Sequence, residues 1–402
     1  GERAMAYLNE LLSNPTTREK IKTAYPKPTV TRRNTGYALD LLARQQPYTP
    51  DGPPFNLCTL LAGSEGTLAV TARLRVRILP LPPPGRALLA LHYPTVNAAM
   101  RATQAVMKTS PFMCELMDDT ILQLARQNPE QRKNANFVEG TPRALLMVEF
   151  RAATDAAAAS LADRAVQNLT VDHYAAPVLL GPTAVDRAWK LRAAGLGILG
   201  NMVGDAKAVA CIEDTAVALP DLADYINDVG QLMEFYGQNA VYYAHAGAGE
   251  IHLRPVLNLK TTRGRQDFYA ITRDVARLVK KYGGSLSGEH GDGRVRAAFL
   301  PEMLGPEVYR MLVDLKRAWD PQNILNPGKI VEAPPMNEGL RYAADAATPE
   351  YDTVLDWSAD GGLLRAAEKC NGSGDCRKMA GGAMCPSYRA LTSEQHSTRG
   401  RA

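Results

Sequence analysis

The sequence of 402 residues has no apolar run near the roughly 20 residues that a bilayer-spanning helix needs. It also has no large excess of one charge, since 46 Lys and Arg against 42 Asp and Glu give a net charge of +4. We therefore expect no nucleic-acid partner. Its first residues, Gly1–Met5, contain neither an initiator methionine nor a signal-peptide pattern, so we expect the sequence to begin inside a longer protein.

Cysteine is scarce, with six residues, and no secretion signal accompanies them, so a disulfide framework is not expected. Three cysteines are scattered among apolar neighbours, as reduced core residues are. The other three, Cys370, Cys376 and Cys385, lie within sixteen residues. This cluster favours metal or iron–sulfur ligation in a reducing compartment.

The hydrophobic pattern changes at Pro80–Gly85, a PLPPPG segment that can continue neither a helix nor a sheet. Before it, period-two alternation over Leu68–Ile78 predicts a strand. After it, short strands alternate with helices from Ala87 to Leu257. This alternation favours an α+β domain with helices on one face of a mostly antiparallel sheet. Residues 332–360 are polar and proline-rich, which predicts a linker.

Two of the six histidines lie on either side of Ala246–Gly249, inside a strand-like stretch. If these four residues form a hairpin turn, His245 pairs with Glu250 and Tyr243 pairs with His252, and all four side chains point to one face. The two imidazoles would then be diagonal neighbours about 7 Å apart at Cβ, close enough to share a metal ion. Two core or surface histidines beside a solvent-exposed turn are the alternative.

The segment Ser287–Arg294 (SGEHGDGR) places a carboxylate and an imidazole among three glycines, which let the backbone approach a ligand closely. Glu289, added to the two hairpin histidines, would complete a two-histidine, one-carboxylate site suited to Zn, Mn or Fe. His290 has the residue type of a general base at neutral pH. A glycine-rich structural turn is the alternative for this segment.

Two further segments are weaker signals. Gly63–Thr67 (GSEGT) is a tight turn, or a phosphate-binding turn if a dinucleotide is present. Asp320–Lys329 is a helix exit and turn, or a segment whose asparagines and lysine contact an extended cofactor.

Four segments in this order and spacing resemble the FAD-linked oxidase family, flavoproteins of the vanillyl-alcohol-oxidase type that oxidise D-2-hydroxy acids. They are Leu61–Leu68 (LAGSEGTL), His245–His252 (HAGAGEIH), Gly288–Gly293 (GEHGDG) and Asn326–Lys329 (NPGK). The cysteine-containing tail, Cys370–Arg401, resembles the large bacterial D-2-hydroxyglutarate dehydrogenase branch, in which the flavin unit is fused to an iron–sulfur domain.

This resemblance implies an α+β fold. The expected parts are the C-terminal half of a PCMH-type FAD-binding domain, a ferredoxin-like α+β cap domain with an antiparallel sheet, and the start of an α-helical iron–sulfur domain. The corresponding ranges are 1–80 for the second half of the FAD domain, 81–290 for the cap, 291–335 for a helical return segment, 336–360 for the linker and 361–402 for the iron–sulfur domain.

The resemblance also implies a substrate site. His245, His252 and Glu289 would bind a divalent metal that holds the hydroxyl and the C1 carboxylate of the substrate. His290 would take the hydroxyl proton while the Cα hydride passes to the flavin. Arg192 matches a family arginine that binds a substrate carboxylate, for which a guanidinium fork is suited. An exposed helical arginine is the alternative reading of Arg192.

Cofactor and specificity residues follow from the same resemblance. The FAD-binding residues that it implies are Gly63, Ser64, Glu65, Gly66, Thr67, Asn326 and Lys329. Cys370, Cys376 and Cys385 would ligate a [4Fe–4S] cluster in the full-length protein, with the remaining ligands beyond Ala402. Arg254 stands where the shorter branch carries asparagine, and would read a distal substrate carboxylate.

The implied function is FAD-dependent, metal-assisted oxidation of a D-2-hydroxy acid to the 2-oxo acid, with D-2-hydroxyglutarate favoured over D-lactate and glycolate. Electrons would pass through iron–sulfur centres to a quinone or an electron-transfer protein. A non-catalytic metal-binding module and an iron–sulfur electron-transfer subunit are the alternatives. We expect a cytoplasmic protein. Peripheral contact with the inner face of the membrane and formation of a homo-oligomer are both left open. We expect this piece alone to bind FAD weakly or not at all and to hold no intact cluster.

Overall fold

The computed structural model describes residues 2–200, 202–370, 372, 374–380, 385–397 and 400. The helices among them are α1 Glu2–Ser13, α2 Pro15–Ala24, α3 Leu39–Ala43, α4 Cys58–Leu61, α5 Val96–Met107, α6 Asp119–Gln127, α7 Asp155–Gln167, α8 Gly181–Leu199, α9 Leu222–Phe235, α10 Thr262–Lys281, α11 Leu300–Trp319, α12 Leu363–Ala367 and α13 Pro386–Leu391. The strands are β1 Gly85–Tyr93, β2 Met113–Asp118, β3 Ala144–Ala152, β4 Val178–Leu180, β5 Lys207–Ala208, β6 Ile212–Ala216, β7 Ala240–His245 and β8 Glu250–Leu257. No described helix is both long enough and apolar enough to cross a membrane.

All eight strands belong to one sheet in the order β4-β1-β3-β2-β7-β8-β5, with β6 also paired to β8. Every described pair of strands is antiparallel. This confirms the expected α+β class with an antiparallel sheet. The order places β7 and β8 beside β2 and β6, so side chains from four strands meet at one part of the sheet.

Helices cover both faces of the sheet, and the expectation of one covered face is wrong. Leu89 and Leu91 of β1 lie in a core shared with α5, α7, α9 and α10. Leu88 and Ala90 of the same strand lie in a second core with α6 and α8. The reason is visible in β1 and β3, whose near-continuous apolar residues need cover on both sides.

The β7–β8 hairpin has the predicted register, with Tyr243 opposite His252 and His245 opposite Glu250. Its turn is a short 3₁₀ segment, Ala246–Ala248, followed by Gly249 in the left-handed region at φ 70°. A Cβ at Gly249 would lie 2.1 Å from the carbonyl oxygen of Val217. Only glycine allows this close approach, which fixes where β8 begins.

The predicted strand over Leu68–Ile78 is wrong. Residues 69–83 have no regular secondary structure, and no described strand pairs with them. The alternating apolar side chains are largely exposed, as are Val70 (81%) and Ile78 (87%). Alternation gives a segment an apolar face, but a strand also needs a neighbour for its backbone hydrogen bonds.

Residues Gly195–Gly200 (GLGILG) match the spacing G-x-G-x-x-G of a dinucleotide-binding turn. In the structure they lie within and at the end of α8. A dinucleotide fingerprint must instead connect a strand to the start of a helix, so this match has no cofactor meaning.

Candidate active site

Three imidazoles gather where the β7–β8 hairpin faces the segment after α10. The ring centroids of His245 and His252 are 5.0 Å apart with planes at 84°. His252 and His290 are stacked, 5.3 Å apart at 8°. The structure therefore brings together the hairpin pair and the glycine-rich loop, although 37 residues lie between His252 and His290 in the sequence.

Glu289 completes this group. Its Oε1 lies 3.5 Å from Nε2 of His245 and 3.5 Å from Nε2 of His290. One ligand atom from each of His245, His252 and Glu289 lies within 4.8 Å of the others, which is the set that the sequence predicted. These two imidazoles and one carboxylate are the donor types that Zn, Mn and Fe(II) accept.

The protonation state of His252 suits ligation. Burial, followed by repulsion from the neighbouring imidazoles of His245 and His290, lowers the pKa of His252 to about 3. The ring is therefore neutral at pH 7, and neutral imidazole is the form that binds metals. Its Nδ1 is buried without a hydrogen-bond partner among the described residues. A buried nitrogen without a hydrogen-bond partner costs free energy, and a ligand bound to this ring through Nδ1 would offset that cost.

His245 is oriented by Glu115, a buried carboxylate that the sequence reasoning missed. Nδ1 of His245 lies 2.9 Å from both carboxylate oxygens of Glu115. This contact fixes the ring with Nε2 directed toward Glu289, the usual arrangement behind a metal-binding histidine. A signal was present in the sequence, since Glu115 is a charged residue inside the apolar strand β2.

Arg192 is a second partner of Glu115. Its Nη2 donates to Oε2 of Glu115 at 2.7 Å, and its guanidinium carbon lies 3.2 Å from the ring centroid of Tyr243. Burial lowers the pKa of Arg192 to about 10, although Glu115 acts in the opposite direction, so the side chain remains charged at pH 7. Its Nε is buried without a partner in the described part of the chain. The arginine that the sequence predicted therefore lies at the site.

Asp214 holds the loop that carries Glu289 and His290. It adopts a left-handed backbone conformation at φ 81° and accepts hydrogen bonds from the amides of Glu289 at 2.8 Å and His290 at 2.9 Å. The hydroxyl of Ser287 also donates to it at 2.7 Å. Asp214, His252 and His290 form a second set of closely spaced ligand atoms. Because Asp214 already accepts three hydrogen bonds, the set with Glu289 is better suited to a metal.

Glu250 is a buried acid at the base of the site. Burial and the adjacent carboxylates of Asp214 and Glu289 raise the pKa of Glu250 to about 9. Burial also acts to raise the pKa of Asp214, but the adjacent carboxyl group of Glu250 and the hydrogen bonds from the loop outweigh it and leave this pKa below its ordinary value. Glu250 is therefore the member of this pair that is protonated at pH 7.

Gly288 is required by the packing of this pair. A Cβ at Gly288 would lie 2.8 Å from Oε1 of Glu250 and 3.2 Å from the carbonyl oxygen of Asp214. We expect Gly288→Ala to lower the free energy of unfolding by about 1–3 kcal/mol through overpacking, measured by thermal or denaturant unfolding. Gly230→Ala is the matched control, since its Cβ would lie 4.0 Å from the nearest atom, in helix α9. Equal stability of the two variants would contradict this account of Gly288.

The predicted FAD turn lies against the same loop. Oε1 of Glu65 accepts from the amide of Asp292 at 2.7 Å, and its two oxygens accept from Gly293 at 3.1 and 3.0 Å. The side chain of Asn326 donates to the carbonyl oxygen of Glu65 at 2.7 Å. The turn, the loop and Asn326 therefore meet at one place, and their expected contacts with FAD stay a prediction.

The other predicted FAD residues are placed differently. Ser64 and Thr67 are buried, and the Thr67 hydroxyl donates to the carbonyl oxygen of Ser64 at 2.7 Å. Gly66 has open space where a Cβ would lie. Lys329 is half-buried. Gly63 lines a cavity of about 430 Å³, together with Asn34, Gly36, Gly288 and Glu289.

This cavity identifies a segment that the sequence reasoning missed, Arg32–Gly36. The backbone amide of Asn34 donates to the carbonyl oxygen of Ser287 at 2.8 Å. The side-chain amide of Asn34 donates to the backbone carbonyl oxygen of Glu289 at 3.2 Å. Arg32 contacts Glu289 through Nη1. The only sequence signal was a short polar, glycine-containing stretch before α3, which is common in loops.

Arg254 is connected to the cluster through Glu213. It forms an ion pair with Glu213, whose Oε1 lies 3.8 Å from Nδ1 of His290. Nε of Arg254 is buried without a partner in the described ranges. Its expected role toward a distal carboxylate stays a prediction.

The three tail cysteines do not form a metal-binding group in the described part of the chain. Cys370 is exposed, whereas Cys376 and Cys385 are half-buried. The two described groups of at least three closely spaced ligand atoms contain only His, Asp and Glu. Residues 371, 373, 381–384, 398–399 and 401–402 of the tail motif lie outside the described residues. The iron–sulfur assignment stays a prediction.

Comparison with known proteins gives matches over most of the chain. Residues 82–330 match the family model described as FAD linked oxidases, C-terminal domain. The D-2-hydroxyglutarate dehydrogenase of Pseudomonas putida is 34% identical over 396 residues, which is 96% of this chain and 38% of that protein. The D-lactate dehydrogenase of Archaeoglobus fulgidus is 30% identical over 279 residues, 69% of this chain and 58% of that protein.

Among solved structures, p-cresol methylhydroxylase with substrate bound has a TM-score of 0.45 at 14% identity, covering 63% of this chain and 53% of that chain. The chain spans less than two thirds of the length of each of these relatives.

Proposed function

The chain belongs to the FAD linked oxidases, as its motifs predicted, and from this premise we propose that it carries the substrate-oxidising site of a D-2-hydroxy acid dehydrogenase. The reaction converts the 2-hydroxy acid to the 2-oxo acid. The observation that carries the proposal is the convergence of His245, His252, Glu289 and His290 at one site. Three of these are metal ligands by type and spacing, and the fourth is a base beside them.

His245, His252 and Glu289 would hold the metal. The neutral ring of His252, the Glu115 contact behind His245 and the carboxylate of Glu289 fit a divalent ion such as Zn, Mn or Fe. When bound, the metal supplies Lewis-acid stabilisation that favours the ionised form of the substrate hydroxyl. The chain's own contribution is to fix the ligand geometry through the β7–β8 register and through Asp214.

His290 would take the hydroxyl proton. Its backbone amide is held by Asp214, and its ring is stacked on His252, so its position is fixed relative to the ligands. Its Nδ1 side faces carboxylates of Glu213 at 3.8 Å and Asp214 at 3.9 Å, which stabilise positive charge on the ring after proton transfer.

Arg192 would bind the C1 carboxylate. It is charged, and its unpaired Nε is a donor that has no partner among the described residues. Stacking on Tyr243 and the contact with Glu115 fix the guanidinium in one orientation, so little freedom remains to be lost when a carboxylate binds.

FAD would lie against Gly63–Thr67, Asn326 and Lys329, next to the cavity beside Glu289. When bound, FAD accepts the hydride that leaves the substrate Cα. In the full-length protein a [4Fe–4S] cluster ligated by Cys370, Cys376 and Cys385 would pass electrons to a quinone or an electron-transfer protein.

D-2-hydroxyglutarate is the substrate that we favour. The Pseudomonas putida relative is named for this substrate, and its match covers 96% of this chain. D-lactate is the second candidate, supported by the Archaeoglobus fulgidus relative.

The first test is the metal content of the purified protein after loading with Mn²⁺ or Zn²⁺ and removal of excess ion. We expect roughly one ion per chain in the wild type and its loss in Glu289→Ala, because a three-ligand site cannot hold the ion with two. Glu338→Ala is the matched control, since Glu338 is exposed and its carboxylate lies outside both ligand groups. A wild type without metal, or a Glu289→Ala variant that retains it, would contradict the proposed site.

A further inference from the structure

We propose that Arg32 binds the distal carboxylate of a dicarboxylic 2-hydroxy acid whose hydroxyl and first carboxylate lie at the metal site. This inference rests on the proposed function and extends it to the class of substrate. It starts from the three arginines around the histidine cluster, Arg32, Arg192 and Arg254. Arginine is the side chain whose planar fork best matches a carboxylate.

All three arginines contact carboxylates of the protein, and two of them are also largely buried. The side chain of Arg192 is only 9% exposed and is paired with Glu115. Arg254 is paired with Glu213 and is also largely buried. A further anion would have to lose most of its hydration to reach either of these buried guanidinium groups, and that desolvation costs free energy.

Arg32 differs from them in exposure. Its side chain is 40% exposed, Nη1 contacts Oε2 of Glu289, and Nε lies 3.3 Å from Oε2 of Glu250. In the described ranges its Nη2 amino group donates no hydrogen bond. One edge of the fork is therefore held by the protein, and the remaining amino group is open.

Glu289 places Arg32 beside the substrate. Oε2 of this carboxylate contacts Arg32, while its Oε1 faces His245 and His290 at 3.5 Å. The guanidinium is thus separated from the proposed metal position by a single carboxylate group. With a metal on Oε1, the negative charge of Glu289 is shared between the ion and Arg32, which leaves positive charge on Arg32 for a second carboxylate of the substrate.

The inference is tested by ligand binding to the Mn²⁺-loaded protein, which requires no turnover. The probes are 2-oxoglutarate, with two carboxylates, and pyruvate, with one, and their dissociation constants are measured by calorimetry. We expect Arg32→Met to weaken 2-oxoglutarate binding by about tenfold or more, and pyruvate binding by less than about twofold. Arg32→Lys should give an intermediate loss, because it keeps the charge without the fork.

The control variant is Arg294→Met, because Arg294 lies on the loop that carries Glu289 and His290, is exposed and donates to the carbonyl oxygen of Glu338. It should bind both probes as the wild type does. Metal content is measured in every variant, and we expect Arg32→Met to keep its ion. Metal loss in that variant would show that Arg32 only supports Glu289 and would overturn the assignment.

Two other outcomes would overturn the assignment while leaving the proposed function intact. One is an equal loss for both probes, or no loss for either, in Arg32→Met. The other is a selective loss of 2-oxoglutarate binding in Arg254→Met without one in Arg32→Met. A wild type that holds no metal, or that holds metal and binds neither probe, would instead overturn the proposed function and the Arg32 assignment with it.

Discussion

His252→Ala is expected to empty the metal site. His252 supplies a ring that is neutral at pH 7, because burial and its imidazole neighbours lower its pKa to about 3. It lies between His245 and His290, so alanine leaves only one imidazole and the carboxylate of Glu289 in the proposed ligand set. Mutation of a residue that hydrogen-bonds to a metal ligand typically lowers metal affinity roughly 10–100-fold, and loss of a ligand itself should lower it more.

The measurement is metal affinity by competition with a chelator, together with metal content after dialysis. His173→Ala is the control, since His173 lies in a loop and its nearest polar contact is the carbonyl oxygen of Val171 at 3.4 Å. The circular dichroism spectrum and the thermal midpoint of His252→Ala show whether the fold persists. A folded His252→Ala variant that binds metal as the wild type does would remove His252 from the ligand set.

His290→Ala is expected to lower turnover by about 10²–10⁴-fold while the metal stays bound. His290 is adjacent to the ligand Glu289, but its ring is stacked on His252 rather than being part of the three-ligand set. Its removal takes away the base without removing a metal ligand. Because the loss falls on the step of proton removal, kcat should fall much more than KM rises.

The measurement is D-2-hydroxyglutarate oxidation by the metal- and FAD-loaded full-length enzyme with an artificial electron acceptor. Metal content is determined on the same samples, and His173→Ala again serves as the control. Full activity in His290→Ala would show that another group takes the proton. Equal metal loss in His290→Ala and His252→Ala would show that the base and ligand roles are wrongly divided.

The local parts of this site could be predicted from the sequence. A two-residue period and one glycine determine the β7–β8 hairpin, and the observed pairing of His245 with Glu250 follows from them. The glycine-rich loop around Glu289 is likewise a short continuous segment. Its meeting with the hairpin was first a hypothesis from the types of ligand residue, and the resemblance of several segments to a known family supported it. The family match confirms that resemblance.

Glu115 stands out in the sequence as a charged residue in an apolar strand, but the contacts of the supporting residues could not be predicted, because their partners are distant in sequence. Glu115 lies 130 residues from His245, and Arg32 lies 257 residues from Glu289. Nothing in the local pattern around either residue encodes these contacts, which exist only after the sheet order brings the strands together. The contacts of Asp214 could not be predicted either, since its left-handed backbone and its hydrogen bonds to the loop depend on the finished packing.

The unpaired segment of residues 69–83 has a consequence for how copies of this protein behave toward each other. Its exposed apolar side chains, including Val70, Leu74 and Ile78, form the kind of surface that seeds intermolecular β-pairing and fibrous aggregation. Arg73 and Arg75 alternate with them and act as gatekeepers, because two such segments that approach each other bring like charges together. Association between copies is thus favoured by apolar attraction and opposed by repulsion between these arginines. Dissolved salt weakens the repulsion, so association should increase with ionic strength.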